Sequence, residues 1–88
     1  MHIAHPHATA RVCLIGAQVA SFIPAGHQDA LWSSGATSYD PKGMFRGGIP
    51  ICWPWFGRGE VGAPFHGCAR LLRWTVTSVD LSPDRTEL

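Results

Sequence analysis

Residues 46–57, RGGIPICWPWFG, hold an arginine, a glycine pair, two prolines and three aromatic residues within twelve positions. The segment has a period of neither 2 nor 3.6, so it cannot run as an ordinary strand or helix. Pro50 and Pro54 each remove a backbone donor and fix their own φ, while Gly47 and Gly48 open conformations closed to residues with a Cβ. A stretch this stiff and aromatic shapes a surface. Trp53, Trp55 and Phe56 offer flat apolar faces of the kind sugars suit, and Arg46 offers a planar fork of donors that suits phosphate.

The remaining composition narrows what such a surface can serve. At 88 residues the chain allows one small domain, of a size that buries only about 60 to 65% of its unfolded surface. Seven basic residues stand against six acidic ones, which leaves no electrostatic footprint for nucleic acid or an anionic membrane, and neither is expected as a partner. No apolar run approaches the roughly 20 residues that cross a bilayer. The start, MHIAHPHATA, lacks the basic flank and apolar core of a signal peptide, so a cytoplasmic location is expected. Cys13, Cys52 and Cys68 are odd in number and lack a CxxC pair, which fits reduced thiols better than a disulfide framework. His2, His5 and His7 have no cysteine or carboxylate near them, and no metal site is expected.

Patterning along the chain points to strands. Residues 1–9 read as a flexible N-terminal arm, and residues 10–88 as the domain. Two strands are expected at 11–15 and 17–23, with Gly16 as the turn or bulge between them and both faces of the second covered. A turn comes next at 25–29, then a short third strand at 30–32. Residues 71–81, LLRWTVTSVDL, alternate best of all, with Trp74, Val76 and Ser78 on one face and Thr75, Thr77 and Val79 on the other. Ser82-Pro83-Asp84-Arg85 is a turn signal.

Between these strands, from Ser33 to Arg70, regular patterning is lost. Loops beyond about 12 to 15 residues are uncommon in compact domains and are functional or disordered. Disorder fits badly here, because Trp32, Trp53, Trp55, Phe45, Phe56 and Phe65 lie in or beside the region and disordered segments are poor in aromatics. The few short strands would leave unpaired edges, and a final hairpin stops just after its turn. The physical reading is an all-β chain with a long ordered loop, part of a larger β-sandwich truncated at its C-terminus.

RGGIPICWPWFG, preceded by FIPAG and ALWSS and followed by PFHGCAR, resembles the N-terminal part of the hexose-6-phosphate mutarotases, or glucose-6-phosphate 1-epimerases, of the galactose-mutarotase-like superfamily. The resemblance runs from about Ala10 to Trp74. It implies a large antiparallel β-sandwich (supersandwich), a cytosolic and monomeric enzyme without cofactor, and interconversion of the α and β anomers of an aldohexose 6-phosphate. Arg46 matches the arginine that opens the RGGIP motif and Arg70 the one that closes HGFAR, and both are implied contacts to the sugar phosphate. Two guanidinium forks on neighbouring loops can hold a phosphate in a fixed direction. His66 matches the motif histidine, placed by the resemblance in the sugar pocket, where an imidazole can donate to or accept from a hydroxyl. Phe65 stands where relatives often carry a small or amide residue, so stacking would replace a polar contact. Cys68 stands where they carry phenylalanine, which removes packing volume beneath the loop.

Competing readings stay open for several of these residues. Each arginine could be a solvated or structural charge, and His66 a histidine bonded within its loop. Trp53, a further candidate substrate contact, could equally belong with Trp55 and Phe56 to the hydrophobic underside of the loop. Either the Ile49-Pro50 or the Trp53-Pro54 bond could be cis. Mutarotation needs an acid and a base within reach of the ring oxygen and the anomeric hydroxyl. The resemblance puts them on a second histidine and a glutamate beyond the length of this chain, and Asp29, Asp40, Glu60, Asp80, Asp84 and Glu87 occupy no motif that marks a base. The isolated chain is therefore expected to bind and not to catalyse. Two alternatives remain: a non-catalytic sugar-phosphate-binding module, and a structural or interaction fragment.

Overall fold

Backbone pairing begins almost at the first residue. The computed structural model describes residues 1–35 and 45–88. Strand β1 (His2–His5) pairs antiparallel with β2 (Ala8–Cys13) from His2 opposite Arg11 to His5 opposite Ala8. Pro6 and His7 alone make the turn. His5 supports it from both ring nitrogens: Nδ1 accepts the His7 backbone N–H at 3.1 Å and Nε2 lies 3.2 Å from the Ser82 carbonyl. The residues 1–9 expected as a flexible arm are thus a paired strand and a hairpin turn. Histidines and small residues gave no β pattern to read, and the open edge of β2 supplies the order instead. The same bonds occupy the His5 nitrogens with backbone groups.

Strand β3 (Gln18–Pro24) covers the other edge of β2, so the three-stranded sheet has the order β1-β2-β3. The pairing runs from Ala8 opposite Pro24 to Cys13 opposite Gln18, and slips between Arg11 and Val12 so that Ala20 is the extra residue of a bulge. The β2–β3 loop passes through Gly16 (φ 77°) and Ala17 (φ 50°). A Cβ at Gly16 would lie 2.6 Å from the Arg70 carbonyl oxygen, so this turn is glycine for closeness as well as for conformation. The expected strand at 17–23 corresponds to β3. The one expected at 11–15 begins and ends earlier, as β2.

Asp29 organises the chain just after β3. Its carboxylate accepts the Ser21 hydroxyl at 2.5 Å and the backbone N–H groups of Phe22 at 3.0 Å and Leu31 at 2.9 Å. These bonds, the Ser21 one foremost, hold its pKa below the ordinary 3.8. The third strand expected at 30–32 is not formed; the chain there makes an Ala30 N–H bond to the Phe22 carbonyl and an isolated bridge from Ser33 to Gly47.

The best alternating stretch, residues 71–81, is not one continuous paired strand. Ile15 and Arg73 form an isolated antiparallel bridge, framed by Gly16 N–H to the Leu72 carbonyl and Trp74 N–H to the Leu14 carbonyl, both 2.7 Å. Residues 75–79 run with no strand partner among the described residues. Asp80–Leu81 then form β4, paired with β5 (Thr86–Glu87) across the turn expected at 82–85. Alternation specifies two faces, but a strand also needs a neighbour for its N–H and C=O groups.

Little of the molecule is dry. Ala20 and Ala69 are the buried apolar residues among those described, beside buried Gln18 and Ser21. Expected cover on both faces of β3 is met only at its first half, since Phe22 and Ile23 are exposed. The chain presents 6561 Å² to solvent for 9.5 kDa, where a folded monomer of that mass presents about 5,000 Å². Its Cα radius of gyration is 14.5 Å against about 12 Å for a compact chain of this length.

Two consequences can be measured. Because the folded-state pKa of Asp29 is depressed, its contribution is present in full above the unfolded value and disappears as pH falls through the folded one. The Phe22 and Leu31 amide resonances are expected to titrate together with a midpoint below 3.8, and a midpoint at or above it would contradict the three-bond arrangement. Gly48 (φ 64°) faces the Val19 carbonyl oxygen where its Cβ would stand. Gly48→Ala is expected to cost at least about 1 to 2 kcal/mol, read as a lowered urea midpoint, and an unchanged midpoint would refute the close approach.

Candidate functional site

The two unusual segments of the sequence are joined first at the Trp53 carbonyl. Trp53 O accepts the backbone N–H groups of Cys68 at 2.9 Å and Ala69 at 3.1 Å, and Trp53 and Gly67 form a parallel bridge. Gly67 (φ 72°) has its absent Cβ directed at that same carbonyl. No side chain fits between the strands here, which explains the glycine after His66. The Trp53-Pro54 bond is cis. Past the junction a 3-10 turn, Ala69–Leu71, carries the chain away.

Residues 57–66 form a loop closed on itself. His66 N–H donates to the Gly57 carbonyl at 2.8 Å, and Gly57 N–H donates to His66 Nδ1 at 2.9 Å. Since a backbone N–H only donates, Nδ1 is the accepting nitrogen, and in the neutral ring the proton belongs on Nε2. His66 is itself in the left-handed region (φ 63°), which histidine enters more readily than most residues. Its ring touches Phe65 (centroids 3.9 Å apart) and Phe56 (4.6 Å). The loop interior is held by Trp55 Nε1–H to the Pro64 carbonyl at 2.9 Å and by Ala63 N–H to the Glu60 carbonyl at 2.9 Å. The half-buried His66 therefore offers one ring nitrogen, a donor in its neutral form, from a rigid mount.

Arg70 joins this cluster through its own loop. Its Nε–H donates to the Phe65 carbonyl at 2.8 Å, which orients the guanidinium while leaving both terminal nitrogens without a hydrogen-bond partner among the described residues. Phe65, His66 and Arg70 are thus brought together by direct contacts. Arg46 is placed by a different set. Its carbonyl accepts Ser34 N–H at 2.8 Å, Gly48 N–H donates to the Trp32 carbonyl at 2.9 Å, and Ile49 N–H donates to the Val19 carbonyl at 2.9 Å. The side-chain amide of buried Gln18 donates to the Gly47 carbonyl. The glycine pair allows backbone to lie on backbone, and the Gly48 N–H that a ligand could have used is spent on Trp32. The Arg46 side chain is exposed.

Trp53 faces another direction. With Ile51, Cys68, Ala69, Leu72 and Trp74 it lines an open hollow of about 420 Å³ whose walls are apolar. Cys68 lines this space beneath the loop. The residue that sequence reasoning missed is Gly57, which fixes the His66 ring, while Phe56, named there with Trp53 and Trp55, packs on that ring.

Residues 1–87 match the protein family described as aldose 1-epimerase. Two curated relatives carry the name "Putative glucose-6-phosphate 1-epimerase": one from Escherichia coli, 45% identical over 75 residues, covers 84% of this chain and 26% of its own length. The other, from Salmonella typhimurium, is 44% identical over 73 residues, with 82% and 25% covered. A crystal structure of a "putative mutarotase (YeaD)" from Salmonella typhimurium superposes with a TM-score of 0.86 at 38% identity, over 93% of this chain and 28% of that one. The chain thus spans about a quarter of the length of these relatives. Its strands and loops are arranged as in the corresponding part of the mutarotase sandwich, and the chain belongs to the aldose 1-epimerase family.

Proposed function

We propose that these 88 residues supply the sugar-phosphate-binding loops of a glucose-6-phosphate 1-epimerase, the activity being anomer exchange of an aldohexose 6-phosphate. Arg46 and Arg70 hold the phosphate, and His66 donates Nε2–H to a sugar hydroxyl beside the Phe65 ring. The observation that carries this reading is the mount of His66 and Arg70: each is bonded to a loop backbone through one nitrogen while the rest of its donor set is left for a ligand. A phosphate presents acceptor oxygens to such forks, and charge-assisted contacts of this kind are worth about 1.5 to 3 kcal/mol each. The names of the relatives support the substrate class.

The acid and base of the reaction are assigned outside these residues. Mutarotation protonates the ring oxygen while deprotonating the anomeric hydroxyl, then closes the ring on the other face, and the two groups must flank the anomeric carbon. Of the carboxylates here, Asp29 is committed to Ser21, Phe22 and Leu31, and Glu87 pairs with Arg85 at 3.5 Å on the surface. Asp40 lies outside the described residues. We assign the protein to the cytosol, a location supported by three free cysteines, and take it as a monomeric, cofactor-independent enzyme. No described helix is long and apolar enough to cross a membrane.

Binding of glucose 6-phosphate to the chain, followed by NMR, is expected to be saturable and to weaken at least tenfold in Arg46→Ala and in Arg70→Ala; unchanged affinity in both would overturn the phosphate assignment. His66→Asn keeps a residue tolerant of φ above zero and an acceptor for Gly57 N–H but loses the outer nitrogen. It is expected to retain the fold and to lose about 1 kcal/mol of binding, about fivefold. Long-range nitrogen–proton correlation should show the neutral His66 ring protonated at Nε2. Faster anomer exchange in the presence of the chain alone would refute the assignment of acid and base elsewhere.

A further inference from the structure

The loop at 57–66 carries two charged side chains that the fold itself does not use. Arg58 and Glu60 line a hollow of about 290 Å³ whose walls come wholly from residues 58–65, with Val61 and Phe65 as the larger apolar members. Neither side chain has a hydrogen bond or ion pair with a described residue, and the two do not pair with each other. Loop charges of this kind commonly stand on mobile backbone, but these stand on a fixed one. Gly57, just before Arg58, is bonded to His66 in both directions. Gly59, between the two charges, lies against the Trp55 indole, where a Cβ would come within 2.7 Å of the ring. Glu60 opens a turn whose carbonyl accepts Ala63 N–H at 2.9 Å, with Gly62 (φ 84°) at the third position as in a type II turn. The hollow also shares a wall with the proposed sugar site. Phe65 lines it, holds its ring centroid 3.9 Å from that of His66, and anchors Arg70 through its carbonyl.

We propose that Arg58 and Glu60 read the 4-hydroxyl of the hexose and so select its equatorial over its axial epimer, a role that rests on the sugar phosphate being held by Arg46 and Arg70. With the phosphate on C6 at Arg70, the ring hydroxyl nearest that arm is the one on C4, while C1 and C2 lie on the far side of the ring. The hollow is just smaller than the roughly 300 to 1,000 Å³ of small-molecule sites, which suits one edge of a sugar better than a separate ligand. Its chemistry suits a hydroxyl better than a second anion. A guanidinium only donates, a carboxylate only accepts and a hydroxyl does both, whereas Glu60 would repel a phosphate. Phe65 sets the angle. A pyranose laid on an aromatic face turns its equatorial hydroxyls outward in the plane of the ring, towards the walls beside Phe65, and its axial hydroxyls out of that plane. The equatorial 4-hydroxyl of glucose 6-phosphate then meets both groups. The axial one of galactose 6-phosphate leaves both without a partner, and a site built to bond a hydroxyl rejects a ligand that cannot supply it.

Affinities of the chain for glucose, galactose and mannose 6-phosphates, measured by NMR titration, test the pair, since a ratio of dissociation constants cancels any change common to all three. Glucose 6-phosphate is expected to bind about tenfold more tightly than galactose 6-phosphate, and mannose 6-phosphate, altered only at C2, within about twofold of glucose 6-phosphate. Arg58→Ala and Glu60→Ala are each expected to reduce the preference to about threefold, and the double substitution to bring it close to unity. Unchanged hydrogen-exchange protection of the Gly57 amide checks that the loop is intact in each variant. A preference that survives both substitutions would overturn the assignment. So would a loss in Arg58→Ala that is equal for the three sugars and for inorganic phosphate, because Arg58 would then be a phosphate contact. Binding that needs Arg70 yet treats glucose and galactose 6-phosphates alike refutes the role of the pair alone; absence of saturable binding to the unsubstituted chain refutes the phosphate reading with it.

Discussion

Two N–H groups, from Cys68 and Ala69, converge on the carbonyl oxygen of Trp53, and the arrangement of the site depends on that convergence. It binds the RGGIPICWPWFG segment to the HGCAR segment through backbone alone, with Gly67 at the contact because a Cβ would meet the Trp53 carbonyl. From this point the chain leaves in two directions with two consequences. One, through residues 57–66, sets the His66 ring by a reciprocal pair of bonds with Gly57. The other, through Ala69–Leu71, brings Leu72 to Trp74 onto the β2–β3 loop and ties the site to the sheet.

The sheet serves as a frame more than as a core. Ala20 and Ala69 are small residues to be the dry apolar contacts of a folded chain, and their burial contributes little beside that of a leucine or phenylalanine, worth about 1.5 to 3 kcal/mol each. Backbone hydrogen bonds, the Asp29 carboxylate and closely approaching glycines carry the described structure. Such bonds fix geometry well and contribute only about 0.5 to 1.5 kcal/mol each. This explains how the loops can be held in place while Trp32, Trp53 and Phe56 remain exposed.

Specific residues show what could be read from the chain and why the rest could not. The all-β class, the strand at β3, the turn near Gly16 and the turn at 82–85 were legible from alternation and turn residues, because these depend on neighbours in sequence. The N-terminal strand was missed because His2 and His5 have no strand signature and are ordered by β2. Residues 71–81 misled in the opposite sense: their alternation is a statement about two faces, and faces need partners that sequence spacing does not supply. At the site, Arg70 and His66 were legible as motif residues, yet nothing in their spacing said that Gly57 would hold the imidazole or that Arg70 would anchor on Phe65.

By itself the sequence determined that a rigid, glycine-flanked and aromatic loop would be built on short strands, since proline, glycine and β-branched residues restrict their own backbone wherever they stand. The tertiary structure alone decided how the loop residues are divided. Arg70 and His66 are oriented through one nitrogen each with donors to spare, while Trp53 turns to an apolar hollow beside Leu72 and Trp74. That division depends on which distant carbonyls and rings come within about 3 to 4 Å, a range at which hydrogen bonds and dispersion act and over which residue order carries no information.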